Sequence, residues 1–273
     1  MPSANFRLHS YKNLKSYTFE SVLRFIKNSG YIIYKVWFYV VTALPVLVFS
    51  PLLLIGVSSR KTYPLVYWCA RSIWAPFILF MMGTPIRKVL GSEKLPNTPA
   101  IMVMNHTSML DVMLMLRICK KPVVFVGKAE LQRIWIFGFF YKRAVIMVDR
   151  SNKESRKQVY QSVQERVKNG ASIAIYPEGG VPDSSVMLDR FKNGAFSMSL
   201  THGLPIVPII NYDCKKRINW DFYHGGPGVL RYKIMPTIKA GTYSKNELEK
   251  FREDVRALFI EELTNEPVMN SRG

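Results

Sequence analysis

The feature that most constrains this chain is an apolar run near its N-terminus. Residues 36–57 are 22 consecutive residues without a charge. A helix that crosses a membrane needs about 20 apolar residues, so the run is long enough to enter a bilayer. It contains Pro45 and Pro51, which we expect to interrupt the helix. A second apolar stretch at 63–83 contains Arg71 and Pro76, and a short basic linker joins the two stretches.

Three arrangements of these two stretches fit the pattern. Both cross the membrane, or the pair dips as a hairpin into one leaflet, or both are core helices of a globular domain. Cations at both ends and in the linker disfavour full crossing, because positive loops remain on the cytoplasmic side. We therefore expect a one-leaflet hairpin, preceded by a surface helix within residues 1–30.

The distribution of charge points to a membrane surface as a partner. Residues 1–92 hold 11 Lys or Arg and one acid, Glu20, and the whole chain carries a net charge of +19. The most basic third is also the most apolar, which is typical of contact with anionic lipid rather than with nucleic acid. The three cysteines are widely spaced and suggest no disulfide framework or zinc site. We expect a membrane protein whose catalytic domain lies on the cytoplasmic face.

The hydrophobic pattern of the sequence changes after residue 91. Apolar clusters of strand length begin near residues 100, 122, 144, 171, 206 and 229, and stretches of helical pattern lie between most of them, among them 131–139 and 188–202. This alternation predicts an α/β fold with a largely parallel sheet flanked by helices. A last helix is expected at 244–263, where Ser244 and Glu247 form a capping box. The predicted domains are a membrane-associated helical segment at 1–92 and a catalytic domain at 93–273.

The first candidate for chemistry is the segment 105–111, which follows a buried strand and opens a helix. Asp111 lies one turn into that helix and can fold back toward the ring of His106. A carboxylate on one imidazole nitrogen fixes the tautomer and leaves the other nitrogen free to accept a proton. Taken alone, this pair is more simply interpreted as a helix cap. Since no Ser or Cys is placed as a covalent nucleophile, the pattern favours direct attack by a substrate hydroxyl.

Further charged residues follow the other predicted strands. Lys128 and Arg150 come at the ends of the second and third, and Glu178 and Gly179 follow the fourth. The carboxyl ends of parallel strands meet at one edge of a sheet, which is the usual ligand-binding edge. A base, two cations and an acid would then share one cleft. Cations so placed suit an acceptor that carries a phosphate.

In this order the segments resemble the 1-acylglycerol-3-phosphate acyltransferase family over about residues 90–215. The family's NHxxxxD block is matched by Asn105, His106 and Asp111. Its remaining blocks are matched by GKAEL at 127–131, by Asp149 and Arg150, by YPEG at 176–179, and by Pro205 and Pro208. Gly180 stands where the family usually has Thr.

The resemblance implies a reaction and a role for each site residue. The hydroxyl of lysophosphatidic acid attacks the thioester of acyl-CoA or acyl carrier protein, which gives phosphatidic acid for phospholipid synthesis. His106 takes the proton and Asp111 holds His106. Lys128 and Arg150 hold the acceptor phosphate, while Glu178 and Gly179 shape the acceptor site. No cofactor and no metal are implied, since the acyl donor is a substrate.

Three other functions remain open from the sequence. Another lysolipid, such as an amino-acid lipid, is a second acceptor for the same chemistry. A nonenzymatic membrane-binding scaffold would use only the basic, apolar N-terminal segment. A hydrolase of lipid esters or thioesters is disfavoured, because the chain has no GxSxG nucleophile elbow.

Overall fold

The α/β part of the chain is built on one mixed sheet of seven strands. The computed structural model describes residues 4–56, 62–134, 137–148 and 153–266. Its strands are β1 Ile86–Lys88, β2 Ile101–Met104, β3 Val123–Lys128, β4 Ile146–Val148, β5 Ser172–Ile175, β6 Ile206–Asn211 and β7 Leu230–Ile234. They lie in the order β1-β7-β6-β2-β5-β3-β4. All neighbours are parallel except β6 and β7, which confirms the predicted α/β class.

The helices of the described residues alternate with these strands after an all-helical start. They are α1 Ala4–Val48, α2 Ser50–Gly56, α3 Tyr63–Cys69, α4 Ala75–Met81, α5 Leu110–Ile118, α6 Phe137–Ala144, α7 Lys153–Lys168, α8 Gly194–His202, α9 Cys214–Arg217 and α10 Leu248–Thr264. A π-helical turn, Ala70–Trp74, joins α3 to α4. Two 3-10 turns, Ala129–Arg133 and Lys245–Glu247, precede α6 and α10.

Helices cover the two faces of the sheet in two separate cores. Helices α1, α3, α4 and α5 contribute to one core, with buried residues such as Phe38, Ile78 and Leu114. Helices α7, α8 and α10 contribute to the other, with residues such as Val163 and Phe259. The sheet is therefore covered on both faces, as its central parallel strands require.

The N-terminal hairpin differs from the expected pattern at its prolines. Pro45 lies inside α1, which runs on to Val48 instead of breaking. Pro45 lies in the last turn of α1, so the loss of one backbone hydrogen bond there does not break the helix. Pro51 is the second residue of α2, within the first turn of a helix, where a missing N–H leaves no bond unmade.

The helical stretch 63–81, made of α3, the π-helical turn and α4, packs against the α/β part of the chain. In α3 and the π-helical turn, the Tyr67 hydroxyl and the Arg71 Nε both donate to the Cys119 carbonyl, at 2.8 and 3.1 Å. At the end of this stretch, the Thr84 and Gly83 segment leads directly into β1. In the described residues, Phe19–Val48 and Tyr63–Met81 are long and apolar enough to cross a membrane by length and composition.

Two local predictions differ from the structure, one strand was not predicted, and the capping box is confirmed. The helix expected at 131–139 is the 3-10 turn Ala129–Arg133 followed by α6, and the helix expected at 188–202 begins only at Gly194. Strand β1 was not predicted; it is a short edge strand beside β7. The capping box is present, since the Ser244 amide donates to the Glu247 carboxylate at 2.9 Å.

Candidate active site

His106 lies at the carboxyl end of the central strand β2. All four residues of β2 are buried, and its neighbours β5 and β6 flank it on both sides. The imidazole stacks on the Tyr176 ring, with 4.1 Å between centroids and 16° between planes. Its side chain is 17% exposed, so one edge of the ring reaches solvent. A polar ring is thus held on a rigid strand end with access for a substrate.

Asp111 makes the predicted contact with this ring. Its Oδ2 lies 2.9 Å from His106 Nδ1 and also accepts the backbone N–H groups of Thr107 and Ser108, at 2.6 and 2.9 Å. The Asp111 side chain is fully buried in the first turn of α5. The expected fold-back of the carboxylate toward the histidine is therefore confirmed.

The arrangement around Asp111 determines which ring nitrogen carries the proton. Asp111 Oδ2 accepts hydrogen bonds from two backbone N–H groups, which can only donate. An acceptor in that position requires a hydrogen on His106 Nδ1, which leaves the lone pair on Nε2. This is the tautomer in which Nε2 can take a proton from an alcohol.

Two asparagines form a second layer of hydrogen bonds behind the dyad. Asn105 Oδ1 accepts the Asn211 backbone N–H at 2.8 Å, and Asn105 Nδ2 donates to the Asn211 carbonyl at 2.9 Å. Asn211 Nδ2 donates to Asp111 Oδ1 at 2.7 Å. Both amides are buried, and together they lock the end of β2 to the end of β6.

Glu178 contacts the backbone of the site. Its Oε1 accepts the His106 N–H at 2.6 Å and its Oε2 accepts the Asp189 N–H at 3.0 Å. The side chain is only 3% exposed. Burial raises the pKa of Glu178 to about 7, although the two backbone hydrogen bonds oppose that shift.

Lys128 and the glycine turn approach each other at the open side of the site. Lys128 ends β3 and is exposed, and its Nζ would lie 3.7 Å from a β-carbon added at Gly180. Gly179 has a φ of 82° and donates its N–H to the Tyr176 carbonyl at 3.1 Å, closing the turn. A side chain at Gly180 would thus contact the lysine, and glycine there leaves the ammonium accessible.

The structure brings together most of the residues that the sequence singled out. His106 contacts Asp111 and Glu178 directly, while Lys128 approaches the turn that contains Gly179. Arg150 lies outside the described residues. Within the residues that are described, no group of three His, Cys, Asp or Glu side chains is placed to hold a metal ion.

The sequence did not predict the hydrogen bond from Asn211 to Asp111 or the stacking of Tyr176 on His106. Asn211 is the last residue of β6, and its position at a strand end beside β2 was the available signal. Tyr176 follows β5 directly, so it lies beside His106 for the same topological reason. Both residues are far from His106 in sequence, and only the strand order makes them neighbours.

Comparison with known proteins agrees with this geometry. Residues 86–211 match the family model described as Acyltransferase. A 1-acyl-sn-glycerol-3-phosphate acyltransferase from Cocos nucifera is 31% identical over 193 residues, which cover 68% of this chain and 60% of that protein. The enzyme of the same name from Saccharomyces cerevisiae is 26% identical over 73% of this chain and 66% of its own length. That from Escherichia coli is 27% identical over 68% and 74%.

A solved structure shares the fold. The 1-acyl-sn-glycerophosphate (LPA) acyltransferase PlsC from Thermotoga maritima superposes with a TM-score of 0.69 and 22% identity, covering 90% of this chain and 99% of that one. The aligned region spans less than two thirds of the coconut and yeast relatives. The family match includes His106, Asp111 and the strand ends around them. Over residues 86–211, which include His106 and Asp111, this chain is similar to the acyltransferase family, and over about two thirds of its length it is similar to 1-acyl-sn-glycerol-3-phosphate acyltransferases.

Proposed function

We propose that this protein transfers a fatty acyl group from acyl-CoA or acyl carrier protein to the free hydroxyl of lysophosphatidic acid, giving phosphatidic acid. The observation that carries the proposal is the 2.9 Å contact between His106 Nδ1 and a buried Asp111, at a strand end that is open to solvent on one side. The relatives that share this region bear the same activity in their names.

The reaction follows from the tautomer of the histidine. Nε2 of His106 takes the proton as the lipid hydroxyl oxygen attacks the thioester carbonyl carbon. The tetrahedral intermediate then collapses, the carbon–sulfur bond breaks, and the thiolate leaves with the proton from the imidazolium. Asp111 stabilises the imidazolium while it exists. The path needs no covalent acyl-enzyme.

The acceptor phosphate needs a cation near the base. Lys128 is the described candidate, since its ammonium reaches the Gly179–Gly180 turn beside Glu178. We also propose this role for Arg150, on the basis of the sequence resemblance alone. An exposed ammonium can bind a phosphate with little loss, because the charge of the lysine is not already used by a buried partner.

Glu178 shapes the acceptor site indirectly in this proposal. Its two carboxylate oxygens hold the backbone of His106 and of Asp189, so they are occupied before any substrate arrives. Glu178 is therefore proposed as a positioning residue that fixes the height of the imidazole. Gly179 supports it by allowing the tight turn after β5.

The hairpin attaches the enzyme to one leaflet of an anionic membrane in this proposal. Helix α3 is fixed to the catalytic domain at its start, where Tyr63 and Tyr67 donate to carbonyls of Val123 and Cys119 at 2.9 and 2.8 Å. A helix bound along the domain cannot cross a bilayer unless the domain enters as well. The exposed faces of α1 and α4 are left to contact lipid, and the basic linker favours the cytoplasmic face.

One experiment tests the proposed activity directly. Purified protein in detergent receives acyl-CoA or acyl carrier protein together with a panel of lysolipids, and the products are identified by mass. We expect phosphatidic acid as the main product, and none with His106→Ala. A product made only from a lysolipid without a phosphate monoester would overturn the acceptor. Free fatty acid released without any lysolipid would indicate a hydrolase instead.

A further inference from the structure

A loop outside the active site exposes three aromatic side chains together. This aromatic loop, residues 218–228, connects α9 to β7, and Trp220, Phe222 and Tyr223 are 54%, 60% and 51% exposed. Large exposed apolar patches mark contact surfaces. Trp and Tyr in particular are enriched where membranes meet water, because the ring is apolar and its tip is polar.

The aromatic loop has a defined shape. An antiparallel bridge between Ile218 and Gly225 closes its base. A β-carbon at Gly225 would lie 2.5 Å from the Arg217 carbonyl oxygen, so the chain turns tightly around that residue. Asp221 Oδ1 accepts the Tyr223 N–H at 3.0 Å. The three aromatic rings are thus presented by a closed turn.

The aromatic loop packs on the middle of α1. Lys35 Nζ donates to the Asp221 carbonyl at 2.7 Å and lies 4.5 Å from the centroid of the Phe222 ring. Tyr31 stacks on His224 with 6.4 Å between centroids. Lys35 belongs to the apolar segment Phe19–Val48, where an uncompensated cation would be costly in lipid. The aromatic loop supplies its partner, and so it lies directly beside Lys35 on this apolar segment.

The aromatic loop also contacts Gly83, in the connection between α4 and β1. The Gly228 N–H donates to the Gly83 carbonyl at 2.9 Å, and a β-carbon at Gly83 would lie 2.9 Å from Pro227 Cβ. Residues 213–224 hold three cations, Lys215, Lys216 and Arg217, against two acids, Asp213 and Asp221. Lys216 pairs with Asp213 and Glu266, so the positive charge of this turn comes from Lys215 and Arg217. Exposed rings beside a cationic turn fit an anionic lipid surface.

A cleft opens between the aromatic loop and the active-site turn. Its volume is about 400 Å³, and it is lined by Val181, Pro182, Asp183, Ser184, Trp220 and Asp221. The first four of these residues directly follow the turn that contains Gly179. The cleft therefore adjoins both the aromatic loop and the segment that directly follows the Gly179 turn.

We propose that the aromatic loop is a second lipid contact of this enzyme, which inserts at headgroup depth into the same anionic leaflet as the hairpin. This inference rests on the membrane attachment proposed above. The partner is the surface of an anionic phospholipid bilayer. In this position the cleft beside Trp220 faces the lipid, so that a lysolipid can pass from the leaflet toward the base.

The test places a fluorescent probe in the aromatic loop of the full chain. Phe222→Cys is labelled with an environment-sensitive dye in a Cys69→Ser background, because Cys119 and Cys214 are buried. Leu90→Cys is the matched control, since Leu90 is 94% exposed in the connection between β1 and β2. Each protein is added to vesicles of phosphatidylcholine and phosphatidylglycerol that carry spin-labelled lipids, with the quencher near either the headgroup or the chain end.

We expect the probe at position 222 to shift to the blue and to be quenched several-fold more by the shallow label than by the deep one. The probe at position 90 should keep its emission in water. A probe at 222 that behaves like the one at 90 would overturn the proposal. A shift that depends on protein concentration and not on the spin label would indicate contact between two copies, and would also overturn it.

Flotation of the same vesicles separates this proposal from the one on which it rests. Protein that floats while the probe at 222 remains in water defeats the lipid role of the aromatic loop alone. Protein that does not float defeats the attachment of the hairpin. A triple variant, Trp220→Ser, Phe222→Ser and Tyr223→Ser, should lower the ratio of activity on bilayer-embedded to detergent-dispersed acceptor several-fold, whereas Leu90→Ser should leave that ratio unchanged.

Discussion

The carboxyl edge of the central strands and the N-terminal hairpin are held by different forces. At the edge, the buried carboxylate of Asp111 accepts hydrogen bonds from His106, Thr107, Ser108 and Asn211. The hairpin instead leaves large apolar side chains in solvent, and Phe80 is 81% exposed. The edge therefore depends on individual atoms, while the proposed membrane attachment of the hairpin depends on its total exposed apolar area.

The largest effect expected at the polar edge is that of His106→Ala. Loss of a general base lowers kcat by about 10²–10⁴-fold. The melting temperature should stay near that of the wild type, because the Asp111 carboxylate keeps the N–H donors of Thr107 and Ser108 after the ring is removed. Steady-state kinetics and thermal melting check both outcomes. His202→Ala, in α8, serves as the control and should keep its kcat within about twofold of the wild type.

Glu178→Gln tests whether the edge contains a buried carboxyl group that gains or loses a proton near neutral pH. The folded protein keeps its proton on Glu178 up to a pKa of about 7, above the ordinary value of 4.5, because the carboxyl is buried. The native state therefore binds more protons than the unfolded state between these values. The stability of the wild type relative to the variant should fall as pH rises through this window, by on the order of 3 kcal/mol at most. Denaturant unfolding at several pH values measures the difference, and parallel curves would contradict the burial of this group.

Lys128→Ala tests whether this exposed lysine binds the phosphate of the acceptor at the edge. A charge-assisted contact with phosphate contributes about 1.5–3 kcal/mol, so the KM for lysophosphatidic acid should rise by about 10- to 100-fold. The KM for the acyl donor should change little. Lys120→Ala removes another exposed lysine and should change neither constant. Equal increases in both KM values would exclude a phosphate contact by Lys128.

Asn211→Ala should weaken the edge without removing a reacting group. The substitution removes the donor to Asp111 Oδ1 and Thr107 Oγ1, and it removes the acceptor of the Cys214 N–H, all in a buried place. We expect a loss of about 1–3 kcal/mol of unfolding free energy. The dyad should also loosen, which lowers kcat by about tenfold. Asn265→Ala, at the exposed end of α10, should leave both quantities unchanged.

The smallest effect on folding is expected in the hairpin. Phe80→Asp changes an exposed side chain, so the unfolding free energy in detergent should stay within about 0.5 kcal/mol. Binding to anionic vesicles should decrease, because a carboxylate replaces lipid-facing apolar area. Flotation assays measure the binding. A large loss of stability with unchanged binding would reverse the proposed contrast between the two regions.

Local patterns made the dyad predictable, whereas distant pairings did not. His106 and Asp111 are five positions apart, on either side of the short turn between β2 and α5, so the local chain brings them together. Asn211 contacts Asp111 across 100 positions, and only the adjacency of β2 and β6 places it there. The sequence pattern contained no signal for that adjacency.

The missed elements have equally physical causes. Strand β1 has three residues, two of them cations, and its partner β7 lies far along the chain. The helix expected from residue 188 begins later because Asp189 and Lys192 donate their backbone N–H groups to Glu178 and Pro177, at 3.0 and 2.7 Å. Tertiary hydrogen bonds to the active-site turn therefore prevail over helical propensity in that segment.

The central claim is that His106 and Asp111 act as one proton-accepting unit. A double-mutant cycle on kcat tests it, using His106→Ala, Asp111→Asn and the two together. Groups that work as a unit are strongly non-additive, so the double variant should be no slower than His106→Ala alone. If the two losses multiply instead, the carboxylate acts independently of the imidazole, and the proposed relay is wrong.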